Sequence, residues 1–144
     1  MRRLSIILLT LLVLSCATGG TQESKTPTSI NDLISVDKII TPQTAAYAFA
    51  SVQYYRFYLL TETKKCATEV QLDEFEAIDK TFRETYVVGR EMLDRWLIVN
   101  EGQPQTLIKY RELILLAVQL KKVRDSVSCE NSQIPRNNFF LKWE

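Results

Sequence analysis

Three long stretches of helical periodicity dominate the chain, and polar positions divide them. The first starts at Thr41-Pro42, where threonine can accept a hydrogen bond from a free amide and proline takes the first helical position. It is predicted to run to about Cys66. Arg56 is the only charge between Ala45 and Leu60, and aromatic residues recur at Tyr47, Phe49, Tyr54, Tyr55, Phe57 and Tyr58. The second opens at Thr68, with Gln71 three residues on as a capping box, and is predicted to reach about Glu101. Phe75, Ile78, Phe82, Gly89, Met92, Trp96 and Val99 give it a seam of threes and fours with one skipped step at Thr85. Gly89 lies inside that pattern at a cost of about 1 kcal/mol of helix propensity, which marks a close helix approach. Gly102 then offers a left-handed stop, and Pro104 can open a third helix running to about Ser128. Its stripe is Leu113, Leu116, Leu120, Val123 and Val127, with Ala117 beside it.

Short links after Cys66 and Glu101 impose an up, down, up order. The expected fold is therefore all-α, an antiparallel three-helix bundle over residues 42–134. A short extra helix near Ser29 or Asn31 would place Leu33, Ile34 and Val36 on the body, and residues 135–144 form an aromatic C-terminal segment.

The N-terminal region has a different pattern. Arg2 and Arg3 precede an uncharged stretch from Leu4 to Leu14, followed by Ser15-Cys16. Eleven helical residues span about 16 Å, against roughly 30 Å of hydrocarbon, so this run is too short for a permanent membrane span. Its end, Val13-Leu14-Ser15-Cys16, resembles the bacterial lipobox. The resemblance covers the first sixteen residues and implies a signal peptide over 1–15. Cys16 would then be the first mature residue, carrying a thioether-linked diacylglycerol and an amide-linked acyl chain. Palmitate labelling, a membrane location in a bacterial cell envelope and a flexible tether over 16–41 follow as expectations. Ala17, in place of aspartate, points to the outer membrane where the source has two. The competing reading is an ordinary secretory signal cut after Ala17.

With Cys16 assigned to lipid, Cys66 and Cys129 remain as a pair in an oxidising compartment. Helices one and three of an up, down, up bundle finish at the same end, which brings these two cysteines together. A disulfide is the expectation. The composition, 46% hydrophobic and 24% charged, fits one folded module, neither disordered nor a membrane bundle. Loss of residues 1–15 removes Arg2 and Arg3 and no acid, leaving 16 basic residues against 17 acidic ones, so charge gives no case for nucleic acid.

The chain has no histidine, which removes the commonest general base and transition-metal ligand. Asp73, Glu74, Glu76 and Asp79 form the densest acidic patch, the one place where an envelope hydrolase or small-ligand site could be built. The i,i+4 pairs Glu76–Lys80, Asp79–Arg83 and Glu91–Arg95 instead read as a solvated helix face. Neither a catalytic residue, nor a metal site, nor a cofactor beyond the lipid on Cys16 is assigned. Partner-binding candidates are the aromatics Tyr54, Tyr55 and Tyr58 of helix one and Phe139, Phe140 and Trp143 of the C-terminal segment. The functional expectation is a membrane-anchored envelope lipoprotein whose helical domain serves as a protein-interaction or structural module with an envelope protein partner.

Overall fold

The computed structural model of the chain describes residues 25–129. The expected signal peptide, Cys16 and the first part of the expected tether lie outside these residues, as do Phe139, Phe140 and Trp143. Three long helices pack against one another: α1 (Pro42–Cys66), α2 (Glu69–Val99) and α3 (Gln103–Asp125). Two single turns of 3-10 helix, Ile30–Asp32 and Val36–Lys38, precede them, and there is no strand among the described residues.

Local chemistry fixes the helix ends. The Thr44 amide donates to Thr41 Oγ1 at 3.1 Å, and the Thr41 amide donates to Thr44 Oγ1 at 3.0 Å. Two orphan donors are thereby satisfied at the start of α1. Thr68 and Gln71 form the second reciprocal pair, at 3.4 and 3.0 Å. Gln71 Nε2 also donates to the Ser126 carbonyl at 2.9 Å, tying the start of α2 to the end of α3.

Both α2 and α3 stop short of their predicted ends. Asn100 itself adopts the left-handed conformation (φ 55°) and caps α2 after Val99, so Gly102 (φ 94°) instead becomes the N-cap of α3. At the far end of α3, Ser126 Oγ donates back to the Val123 carbonyl at 2.7 Å and closes the helix after Asp125.

The α2 seam differs from the predicted one in an informative way. Its inward positions are Leu72, Phe75, Asp79, Phe82, Tyr86, Gly89, Leu93 and Trp96, with Tyr86 half-buried and the rest buried. These alternate by three and four with no skipped step, the heptad spacing of a bundle helix. Asp79 occupies the place expected for Ile78, Leu93 replaces Met92, and Val99 is exposed. Scoring aspartate as a surface residue forced the apparent skip. Gly89 does mark a close approach: a Cβ there would lie 2.5 Å from Phe49 Cε1 and 3.2 Å from Lys109 Cβ.

The core is built from Phe49, Val52, Tyr55 and Leu59 of α1, Phe75, Phe82, Leu93 and Trp96 of α2, and Tyr110, Leu113, Ala117 and Leu120 of α3. Leu33 and Ile39 join it from the N-terminal segment, and the buried Tyr110 hydroxyl donates to the Ile34 carbonyl at 2.9 Å. The later part of the expected 16–41 tether is thus docked on the bundle, because its apolar residues find a partner surface there. At the other end a disulfide joins Cys66 to Cys129, with Cα atoms 4.5 Å apart, as the topology required. Closing a loop with a sequence separation of 63 stabilises by about 4 kcal/mol on the chain-entropy model.

Candidate functional site

The polar chemistry of the bundle concentrates where α1 faces α2. Arg56, the lone charge in the apolar run of α1, points inward and meets Asp79 through a two-pronged contact. Its Nε bonds Asp79 Oδ1, and its Nη2 donates to Oδ2 at 2.7 Å. Arg83, one turn along α2, reaches Oδ2 at 3.1 Å from the solvent side. Arg56 is 4% exposed and Asp79 is 0% exposed. The guanidinium also lies 4.9 Å from the Phe57 ring centroid and 5.9 Å from that of Phe82, where ring faces favour a cation. Both carboxylate oxygens are therefore engaged by arginine, and the group acts as an internal clamp.

That placement dissolves the predicted acidic patch as one unit. Asp73 and Glu74 face solvent, Glu76 is half-buried, and Asp79 turns into the core. Glu74 lines an open pocket of about 320 Å³ with Ile78, Gln119, Lys122, Val123 and Ser126, away from the Asp79 carboxylate. The four acids do not converge on a common space. Among the described residues no group of three or more cysteine, aspartate or glutamate side chains is placed to hold a metal ion. The expected Asp79–Arg83 pair forms, but at the edge of a buried site and not on a solvated face.

The predicted aromatic surface needs one correction and two additions. Tyr55 is 1% exposed and belongs to the core, where its phenol stacks on half-buried Tyr58 at 6.2 Å between centroids. Burial raises the Tyr55 pKa above the usual phenol value. Tyr54, one residue earlier, points outward at 51% exposed. Tyr47 and Phe57 share its side of the helix, 63% and 48% exposed, at spacings of seven and three residues from it. The signal that finds them is this spacing, because residues seven apart return to one helix face. Tyr47 and Tyr54, with Ala50 and Ser51, form one wall of a pocket of about 200 Å³. Its other wall is the N-terminal segment at Lys25, Thr26, Pro27 and Asp32. Asp32 is turned to its own backbone, accepting from the Thr28 and Ser29 amides at 3.0 and 2.9 Å. Those two donors hold its pKa below the ordinary carboxylate value.

The chain matches no known protein family, no curated protein and no solved structure.

A second exposed group lies at the other end of the sequence order. Leu97, Ile98 and Val99, the last turn of α2, are all exposed, and Ile108 and Leu115 repeat at a spacing of seven on the outer side of α3. The basic residues near the α3 terminus are largely paired: Lys121 and Arg124 both contact Asp125, and Arg124 reaches Glu62 of α1 at 3.9 Å. The hydrogen bond from Lys121 keeps the Asp125 pKa low against desolvation, with a further contribution from Arg124. No helix among the described residues is long and apolar enough to cross a membrane.

Proposed function

We propose that this chain is an exported bacterial lipoprotein, held to an envelope membrane by acyl chains on Cys16, whose stapled three-helix domain is an interaction or structural module. The anchor supplies location, and the bundle supplies contact surfaces for an envelope partner.

The observation that carries this reading is the grouping of exposed apolar side chains. Single exposed hydrophobic residues are ordinary, but contiguous groups mark surfaces that something else covers. Tyr47, Tyr54 and Phe57 form one such group, and Leu97, Ile98 and Val99 form another. The hydrolase alternative has less support, because the carboxylate that would complete its acidic pair is held by Arg56 and Arg83.

Crosslinking in intact source cells, with mass spectrometry of the captured species and a Cys16→Ser chain as the unanchored control, tests the proposal. One recurring envelope protein, lost in the control, is the expected result. Absence of any recurring partner under conditions where a known envelope complex is captured would overturn the interaction reading.

A further inference from the structure

The outward face of α1 carries three independent features that the core does not require. Tyr47, Tyr54 and Phe57 expose ring surface on one side of the helix. That helix contains a single acid, Glu62, which contacts Lys65 and Arg124, while its last turn carries Lys64 and Lys65. Finally, the chain reaches the bundle on this same side, since Lys25, Thr26 and Pro27 line a pocket with Tyr47 and Tyr54.

Position of the chain decides between occupants. Cys16 and Lys25 are nine positions apart, so the backbone between them spans at most about 30 Å whatever its conformation. If Cys16 is lipidated, the aromatic face of α1 is the surface of the bundle through which the anchor arrives, and it cannot leave the neighbourhood of the bilayer. Tyrosine suits that boundary, with an apolar ring and a polar tip, and lysines favour anionic headgroups.

We propose that the Tyr47–Tyr54–Phe57 face of α1 rests on the headgroup layer of the anchoring membrane, with Lys25, Lys64 and Lys65 toward anionic lipid. This rests on the lipoprotein reading above and names what that face touches. It leaves Leu97, Ile98 and Val99 for a protein partner.

The test uses the full chain, produced with its anchor in a bacterial host and reconstituted into phosphatidylethanolamine–phosphatidylglycerol vesicles carrying a trace of photoactivatable phosphatidylglycerol. Crosslinks are mapped by mass spectrometry, and intact mass reports lipidation in the same sample. Adducts should concentrate between Tyr47 and Phe57. Lys25→Glu should lower them by about fivefold or more, the factor that roughly 1 kcal/mol per basic residue at an anionic surface represents. A Tyr47→Glu/Tyr54→Glu chain should lose them with an unchanged thermal melt, which separates contact from folding. A lipidated chain whose adducts spread evenly over the three helices, or fall on Ile98 and Leu115, overturns the face assignment and leaves the anchor standing. An unlipidated chain that still yields α1 adducts overturns the anchor and keeps the face; one without them overturns both. Capture of a protein through Tyr54 in source cells, without lipid adducts there, would also overturn the proposal.

Discussion

Helices α1 and α2 lie side by side yet differ in where their charges lie and in what their outer faces expose. In α2 the inward positions form one regular seam, and the rest mixes charged residues with the exposed aliphatics Val70, Val87, Val88, Leu97, Ile98 and Val99. In α1 the inward side is complete with Phe49, Val52, Tyr55 and Leu59, and aromatic residues continue around the outside. The one charge in its apolar run, Arg56, is buried, and the one large polar gap in the α2 seam, Asp79, is what receives it. Both helices therefore carry apolar side chains that this bundle does not cover, aromatic ones on α1 and aliphatic ones on α2, and only the inner positions belong to the core. Substitutions on the shared inner side should therefore change stability, and substitutions on the outer side of α1 should change contacts.

The largest effect is expected at the clamp. Asp79→Ala leaves Arg56 charged and buried without its partner and should cost about 3–5 kcal/mol, read by urea denaturation. The Arg56→Met/Asp79→Leu double variant removes both charges and should recover most of that loss; equal losses in single and double variants would show that packing alone, not charge pairing, sets the site. Next comes the staple. Cys66→Ser/Cys129→Ser should lower stability by about 4 kcal/mol, and the same loss should follow chemical reduction of the wild-type chain. Gly89→Ala gains about 1 kcal/mol of helix propensity but drives a methyl against Phe49, a ring already packed between Tyr86 and Tyr110. A net loss of about 1–2 kcal/mol is expected in the thermal melt.

How far these features were legible in the sequence differs by kind. Helix starts were, because Thr41-Pro42 and Thr68 with Gln71 act within one turn. The up, down, up order and the Cys66–Cys129 bridge followed from loop lengths. The Asp79 position was not, because its burial depends on Arg56, 23 residues away, and a hydropathy pattern sees each residue alone. Tyr54 and Tyr55 were indistinguishable by type, and the rotation of α1 against its neighbours placed one outside and the other in the core. The docking of Leu33, Ile34 and Val36 was legible as apolar residues near a bundle, whereas the buried Ile39 was missed, since short 3-10 turns have no period to read.

Alkaline titration sharpens the same comparison with a smaller signal. Burial raises the pKa of Tyr110, Tyr55 and Tyr86 above the ordinary value of 10.0. The folded state therefore favours the protonated phenols, and their contribution is fully present below about pH 10 and is lost as pH rises beyond it. Stability measured in steps above pH 10 should fall, with a shallower fall in Tyr110→Phe. At acid pH the sign reverses. The lowered pKa of Asp32, from the Thr28 and Ser29 amides, makes its contribution present above the usual carboxylate range and lost below it. The smallest effect belongs to the outer face: Tyr54→Glu should change stability by no more than about 0.5 kcal/mol.

The membrane location and the lipid-facing role of α1 both depend on what Cys16 carries. Growth of source cells with labelled palmitate, followed by isolation of the chain and determination of its intact mass, addresses that point directly. Label in the wild-type chain, a mature N-terminus at Cys16 bearing diacylglycerol, and no label in Cys16→Ser are the expected results. An unlabelled wild-type chain, or one that begins after Ala17, would contradict the lipid anchor.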